Sequence, residues 1–179
     1  MWTTIVIITC IGCFLLYNQI VGLDNKVKSA WSDIEVQLKR RHDLIPNLVE
    51  IVKSYSEYEQ QTLEEIITLR NKSSQLNNVS ERSRVEEAIG KDVKQLLALV
   101  ENYPNLKADE RFADLHRSLI NIENDLQFAR RYYNGSVRDY NTKIESFPAL
   151  VLSKPLGFNL ADFFEVEHAS EKRTPSVNV

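Results

Sequence analysis

Apolar side chains follow two regimes along this chain. From Trp2 to Leu23 they run almost unbroken, with IVIITCIGCFLL at the centre, and the first charged side chain is Asp24. Beyond it they recur at alternating three- and four-residue spacing: Val27, Trp31, Ile34, Leu38, Ile45, Leu48, Val52 and Tyr55, then Leu63, Ile66 and Leu69. The pattern resumes at Val85, Ala88, Ile89, Val93, Leu96, Leu97 and Val100. It returns a last time at Phe112, Leu115, Leu119, Ile122, Leu126, Ala129, Tyr133, Val137, Tyr140 and Ile144. Such spacing lays one apolar stripe along each helix. No alternating, β-branched run predicts a strand.

The predicted fold class is therefore all-α, an N-terminal transmembrane helix followed by an antiparallel up-and-down four-helix bundle. Polar punctuation sets the breaks. Asp43 can cap a new helix with Pro46 in its first turn, where a missing N–H matters least, so the chain is expected to turn or kink near residues 42–46. Ser73 to Ser80 reads as a turn, Asn102, Tyr103 and Pro104 end the next helix, and Asp109 can cap the last one, which Gly135 can bend. If the chain turns near residue 43, four helices pack with short connections. The alternative is three long helices with the first kinked near Pro46; as one rod, Asp24 to Lys72 would leave Trp31 and Leu38 uncovered. The expected organisation is an anchor over 1–23, a helical bundle over 24–167 and a polar, disordered tail over 168–179.

A spanning helix needs roughly 20 apolar residues at about 1.5 Å each. Trp2 to Leu23 supplies them if Tyr17, Asn18 and Gln19 lie at the interface. A cleavable signal would carry basic residues before the apolar run and a small-x-small site after it, and this run has neither, so a retained anchor is expected. Lipid anchoring at Cys13 is the alternative, since Ile11-Gly12-Cys13 echoes a lipobox, although Cys10 stands where leucine is usual. No Lys or Arg precedes the span, whereas Lys26, Lys28, Lys39, Arg40 and Arg41 follow it. That bias predicts the N-terminus outside and the bundle cytoplasmic at the cell membrane. Both cysteines lie in the anchor, which leaves the body without a thiol. Gly12 and Gly22 are too far apart for a G-x-x-x-G association motif.

QLKRRHDLIPNLVEIVKSY at 37–55, with AWSD at 30–33 before it, resembles the signature of the LemA family of bacterial proteins. ENYPNLKADERFADL at 101–115, IENDLQFARRYYNGSVRDYN at 122–141 and IESFPALVLSKPLGF at 144–158 extend the resemblance over nearly the whole chain after the anchor. The resemblance implies an N-terminal membrane segment and a four-helix bundle. It implies no reaction, since it carries over no catalytic or ligand residue.

Chemistry is sparse in the remaining residues. A carboxylate-bridged iron bundle needs Glu-x-x-His on two facing helices, and this chain has one, Glu165-x-x-His168, in its tail. His42 and His116 have neither a cysteine partner nor a second histidine one turn away. No phosphate-binding glycine loop or nucleophile elbow occurs, and there are five glycines in all. No cofactor is expected. The expected function is a non-catalytic interaction or scaffold module, with a membrane-attached enzyme or ligand carrier holding a site in the bundle core as the alternative.

The polar residues that stand out are Arg40, Arg41, Asp43, Asn47, Glu123, Asp125, Arg130, Arg131, Tyr133 and Asn134, a candidate interaction or structural cluster. Arg41 falls on the apolar seam. Either it ends a helix near solvent, snorkelling as arginine readily does, or it is buried in an ion pair with Glu123 or Asp125. Arg130 to Asn134 form a basic-aromatic patch with three readings: a solvated helix face over a buried Tyr133, a nucleic-acid contact, or a contact to lipid headgroups or a partner's carboxylates. A formal net charge of −3 without an extended basic face argues against nucleic acid. Phe147 to Phe164, apolar and broken by Pro148, Pro155 and Gly157, either closes one end of the core or touches the membrane surface through Phe158, Phe163 and Phe164. Expected partners are the membrane and either an unknown protein or a second copy of the chain.

Overall fold

The computed structural model describes residues 1–55, 60–99 and 103–164. Among these there are six helices and no strand: α1 (Trp2–Lys53), α2 (Gln60–Ser73), α3 (Val79–Leu99), α4 (Pro104–Lys107), α5 (Glu110–Glu145) and α6 (Ala149–Ser153). The fold is all-α, as the periodicity predicts. The tail expected to be disordered, with Glu165 and His168, lies outside the described residues, as do Val100 and Asn102.

The turn expected near residue 43 does not form. α1 is continuous for 52 residues and carries Pro46 inside it, and Asp43 is an exposed mid-helix residue rather than a cap. An interior proline cannot donate to the carbonyl four residues back, which normally disfavours a helix. Here that carbonyl belongs to His42 and accepts instead from Arg70 Nε on α2 at 2.9 Å. The orphaned acceptor is satisfied from outside the helix, so the helix continues to Lys53. The first break comes at Ser54 and Tyr55, whose amides bond back to Ile51 and Val52.

The other ends follow local chemistry. Asn78 Oδ1 accepts from the Glu81 amide at 3.0 Å and caps α3. Asp109 Oδ1 accepts from the Arg111 amide at 2.8 Å and caps α5, as expected. The Arg111 guanidinium, 2.9 Å from Asp109 Oδ2, keeps that carboxyl down at about 2. α5 runs through Gly135 without interruption.

Two compact units divide the chain. The first is Met1–Gln37 with Asn124–Phe163, the second Leu38–Glu123 with Phe164. In the first, Lys26 reaches Asp139 at 3.8 Å and the Trp31 ring lies 5.5 Å from that of Tyr133. Numbers rise on α1 as they fall on α5, so these stretches are antiparallel. Ile20, Val27, Ala30 and Ile34 supply the buried stripe of α1, and Leu126, Tyr133, Val137, Tyr140 and Ile144 that of α5. In the second unit α2 packs on α3. A core of Ile45, Leu48, Val52, Leu63, Ile66, Ile89, Val93, Leu96, Leu106, Phe112, Leu115 and Leu119 joins them to α4 and to the adjoining stretches of α1 and α5.

Candidate functional site

In the second unit the seam is interrupted by charge. Arg41 is 2 % exposed, because α1 does not end beside it and its side chain faces inward, so the solvent-exposed reading fails. Nη2 donates to both the carboxylate and the main-chain carbonyl of Glu86 on α3, the latter at 2.9 Å, and Nη1 donates to Glu123 Oε2 at 3.3 Å. Glu86 is fully buried. Its Oε1 lies 2.7 Å from His42 Nε2 and accepts from Ser73 Oγ. Gly90 lies beside the guanidinium, where a Cβ would meet Arg41 Nη1 at 3.4 Å, an ordinary contact.

Burial alone raises the Glu86 carboxyl. The His42 hydrogen bond, the Arg41 and His42 charges and the Ser73 hydroxyl outweigh it and hold the group down to about 2. Glu86 is therefore an ionised acceptor at neutral pH, which requires His42 Nε2 to carry the proton in their bond. Both Glu86 oxygens are committed to neighbours.

The first unit holds a second constellation. Tyr133 Oη donates to the Asp162 carbonyl at 2.8 Å and Tyr140 Oη to the Asn159 carbonyl at 3.0 Å. Asn141 pairs with Ala161 twice, donating from Nδ2 to its carbonyl and accepting from its amide on Oδ1, each at 2.9 Å. One face of α5 thus fastens an irregular strand of chain much as a sheet edge would. Burial pushes the Tyr133 hydroxyl up to about 12 and raises that of Tyr140. Before this strap, Phe158 N donates to the Ser153 carbonyl and Gly157 N to that of Lys154, with Gly157 at φ +78°. This is the left-handed close of a helix that only glycine adopts freely. It turns Phe158 toward Tyr17 of α1, ring centroids 6.0 Å apart.

The ten residues singled out in the sequence do not form one cluster. Arg41 and Glu123 meet in the second unit, while Tyr133 is a buried clamp in the first. Arg131 lies over the Phe128 ring at 4.6 Å, with Arg130 and Asn134 half-buried on the same helix. Arg40, Asp43, Asn47 and Asp125 are exposed. Sequence reasoning missed Glu86, His42 and Ser73 as members of the network. Glu86 precedes Ile89 by three residues and Val93 by seven, and His42 precedes Ile45 by three, so both stand on seams where an apolar residue is expected. Of the aromatics expected at a membrane surface, Phe164 is buried, Phe158 is half-buried and Phe163 is 45 % exposed.

Among the described residues no group of three or more His, Cys, Asp or Glu is placed to hold a metal ion. The N-terminal part of α1 is long and apolar enough to cross a membrane.

Known proteins bear out the family resemblance. The model of the LemA family matches residues 30–179. Protein LemA of Metamycoplasma hominis is 27 % identical over 149 residues, covering 82 % of this chain and 68 % of that protein. Magnetosome proteins MamQ 1 and MamQ 2 of Paramagnetospirillum magneticum are each 23 % identical over 181 residues, covering 87 % of this chain. The chain spans 66 % of the length of these magnetosome relatives. Arg41, His42, Pro46 and the Tyr133 to Asn141 clamp all fall within the matched range, and the chain belongs to the LemA family, a membrane-associated family.

Proposed function

We propose that this protein is a non-catalytic interaction module held at the cell membrane by a single span, with its helical body on the cytoplasmic side. The observation that carries the reading is the commitment of the buried Glu86 carboxylate to the fold. Arg41, His42 and Ser73 all converge on Glu86, so both of its oxygens are bonded to neighbours and, in this network, the buried Arg41 Nε is left without a partner. The cluster of basic residues after the span, Lys26, Lys28, Lys39, Arg40 and Arg41, supports the cytoplasmic placement.

Two measurements test it. A Val36→Cys variant in a Cys10→Ser, Cys13→Ser background is expected to resist an impermeant maleimide in intact cells and to label after permeabilisation; labelling in intact cells would reverse the orientation. Photo-crosslinkers in place of Arg131 and Val36 are expected to capture one reproducible protein partner or a second copy of the chain. Turnover of a metabolite by the purified full-length protein, lost in Glu86→Gln while the helical signal is kept, would overturn the reading in favour of an enzyme.

A further inference from the structure

Beyond the span, exposed large apolar side chains on α1 and α5 stand singly, as at Val36 and Ile120, or as a pair one turn apart, Phe128 and Tyr132. The stretch 147–163 is different. Phe147 is 85 % exposed, Val151 64 %, Leu160 58 % and Leu156 50 %, with Leu150 and Phe163 also outward. Such a concentration marks an interaction surface rather than ordinary surface composition. It is not a slack segment that could fold inward. Ala149 and Ser153 already occupy its buried side, Gly157 fixes its turn, and Tyr133, Tyr140 and Asn141 hold its far end.

Its position relative to the span decides what covers it. The pairs Lys26 with Asp139 and Trp31 with Tyr133 set an antiparallel register. Carried down both helices at equal rise, that register brings the end of α5 level with the neighbourhood of Ile20. The Tyr17–Phe158 ring contact places the following turn at the same level. Protein already covers part of α1 there: Ile20 is fully buried, and Gly12, Cys13 and Leu16 are half-buried, whereas Met1 to Ile11 are exposed. The bare stretch is about 15 Å long, half of a hydrocarbon core of roughly 30 Å. A bilayer thick enough to be spanned by Trp2–Leu23 therefore reaches the level of this segment.

We infer that residues 147–163 form an interfacial collar, seated in the lipid–water boundary around the exit of the span, with the bilayer itself as the occupant of its apolar face. The inference rests on the reading of Trp2–Leu23 as a membrane span. Lys154 and Asp162 are its only charges; nearby Lys28 and Lys26 are paired to Asp24 and Asp139, and Lys143 at the end of α5 is the one further lysine beside it, against six outward apolar side chains. The collar is thus held by apolar burial rather than by attraction to anionic headgroups. Pro148, Pro155 and the five-residue α6 keep it from spanning.

The test uses the full chain in phosphatidylcholine vesicles, with Cys10 and Cys13 changed to Ser. A nitroxide is attached at Phe147→Cys, Val151→Cys or Leu160→Cys, with Ile8→Cys and Val36→Cys as references. Collision with oxygen, which partitions into lipid, is compared with collision with a water-soluble nickel chelate. The expected result is a shift of the oxygen-to-nickel ratio at 147, 151 and 160 toward the Ile8 value, unchanged when a third of the lipid is replaced by phosphatidylglycerol. A ratio like that of Val36 at all three, with Ile8 still in lipid, would overturn the collar and leave the span intact. A water-like ratio at Ile8 would overturn the span and the collar with it. Shielding from both reagents, with dipolar broadening that vanishes on dilution by unlabelled chain, would give the face to a second copy and also overturn the collar.

Discussion

Glu86 is an acid that burial by itself would neutralise, and its ionised state depends on what surrounds it. Arg41→Met would leave a buried carboxylate without its guanidinium, and a loss of about 3–5 kcal/mol is expected. Changing both residues, Arg41→Met with Glu86→Met, is expected to lose less than the sum of the two single changes, because no unpaired charge is left buried, although His42 and Ser73 then lose their acceptor. Urea unfolding of the full chain in detergent reads both values; additive losses in the double variant would show that the two side chains do not act as a pair. The same acid gives a pH dependence. Its folded value near 2 lies below the ordinary 4.5, so its stabilisation is complete above pH 4.5 and fades as pH falls toward 2. The difference is on the order of 3 kcal/mol. The urea midpoint is expected to drop through that window, and Glu86→Gln, less stable at neutral pH, should drop less. At this scale the sequence was half legible. Arg41 stood out because arginine on a seam demands a partner, and Glu123 was within reach of the reasoning. Glu86 did not stand out, because Val85 beside it also fits the stripe and hides the acid.

Elements were legible wherever periodicity alone determines them, as along α3 and α5, and where a cap such as Asp109 starts a run. They were illegible where a tertiary contact overrides a local rule. Pro46 carries a strong breaking tendency, but the acceptor it orphans on His42 is met by Arg70, 28 positions away in sequence, and no local pattern reveals that. A double-mutant cycle tests this account. Arg70→Met is expected to lose about 1–3 kcal/mol beside Pro46, where it strands a carbonyl. In a Pro46→Ala background, whose alanine amide can take over the His42 carbonyl, the loss should be clearly smaller; equal losses would mean that Arg70 acts elsewhere. Gly157 is the other local decision. Gly157→Ala is expected to lose about 1–2 kcal/mol through its left-handed backbone, with Phe158 displaced from Tyr17. Quenching between those rings would report the displacement.

For the molecule as a whole, the apolar pattern of the first residues gave the membrane association, and composition left the body without a thiol. How far the body covers the span was not legible, because that depends on where the ends of α5 and α6 fall against α1. Removal of Trp2–Ile11, which the protein leaves exposed, is expected to preserve the helical signal and urea midpoint while making the chain extractable by alkaline carbonate. Removal through Leu23 would also delete the buried Ile20, and a loss of about 2–5 kcal/mol should accompany release. If the shorter deletion stays membrane-bound under carbonate, Trp2–Ile11 is not the anchoring length.

One consequence follows from α1 being a single helix from Trp2 to Lys53. Many membrane proteins separate the lipid-embedded rod from the soluble part by a swivel of glycine or proline, which lets each choose its own inclination. Here Gly22 sits inside an unbroken helix, so the rod and what is fixed to it share one axis. A span responds to a thinner bilayer by leaning, and in the proposed anchored arrangement that lean would pass to the α1 residues that continue directly from Trp2–Leu23 in the first unit. Bilayer thickness, a property of the lipid alone, would thereby set the inclination of that unit.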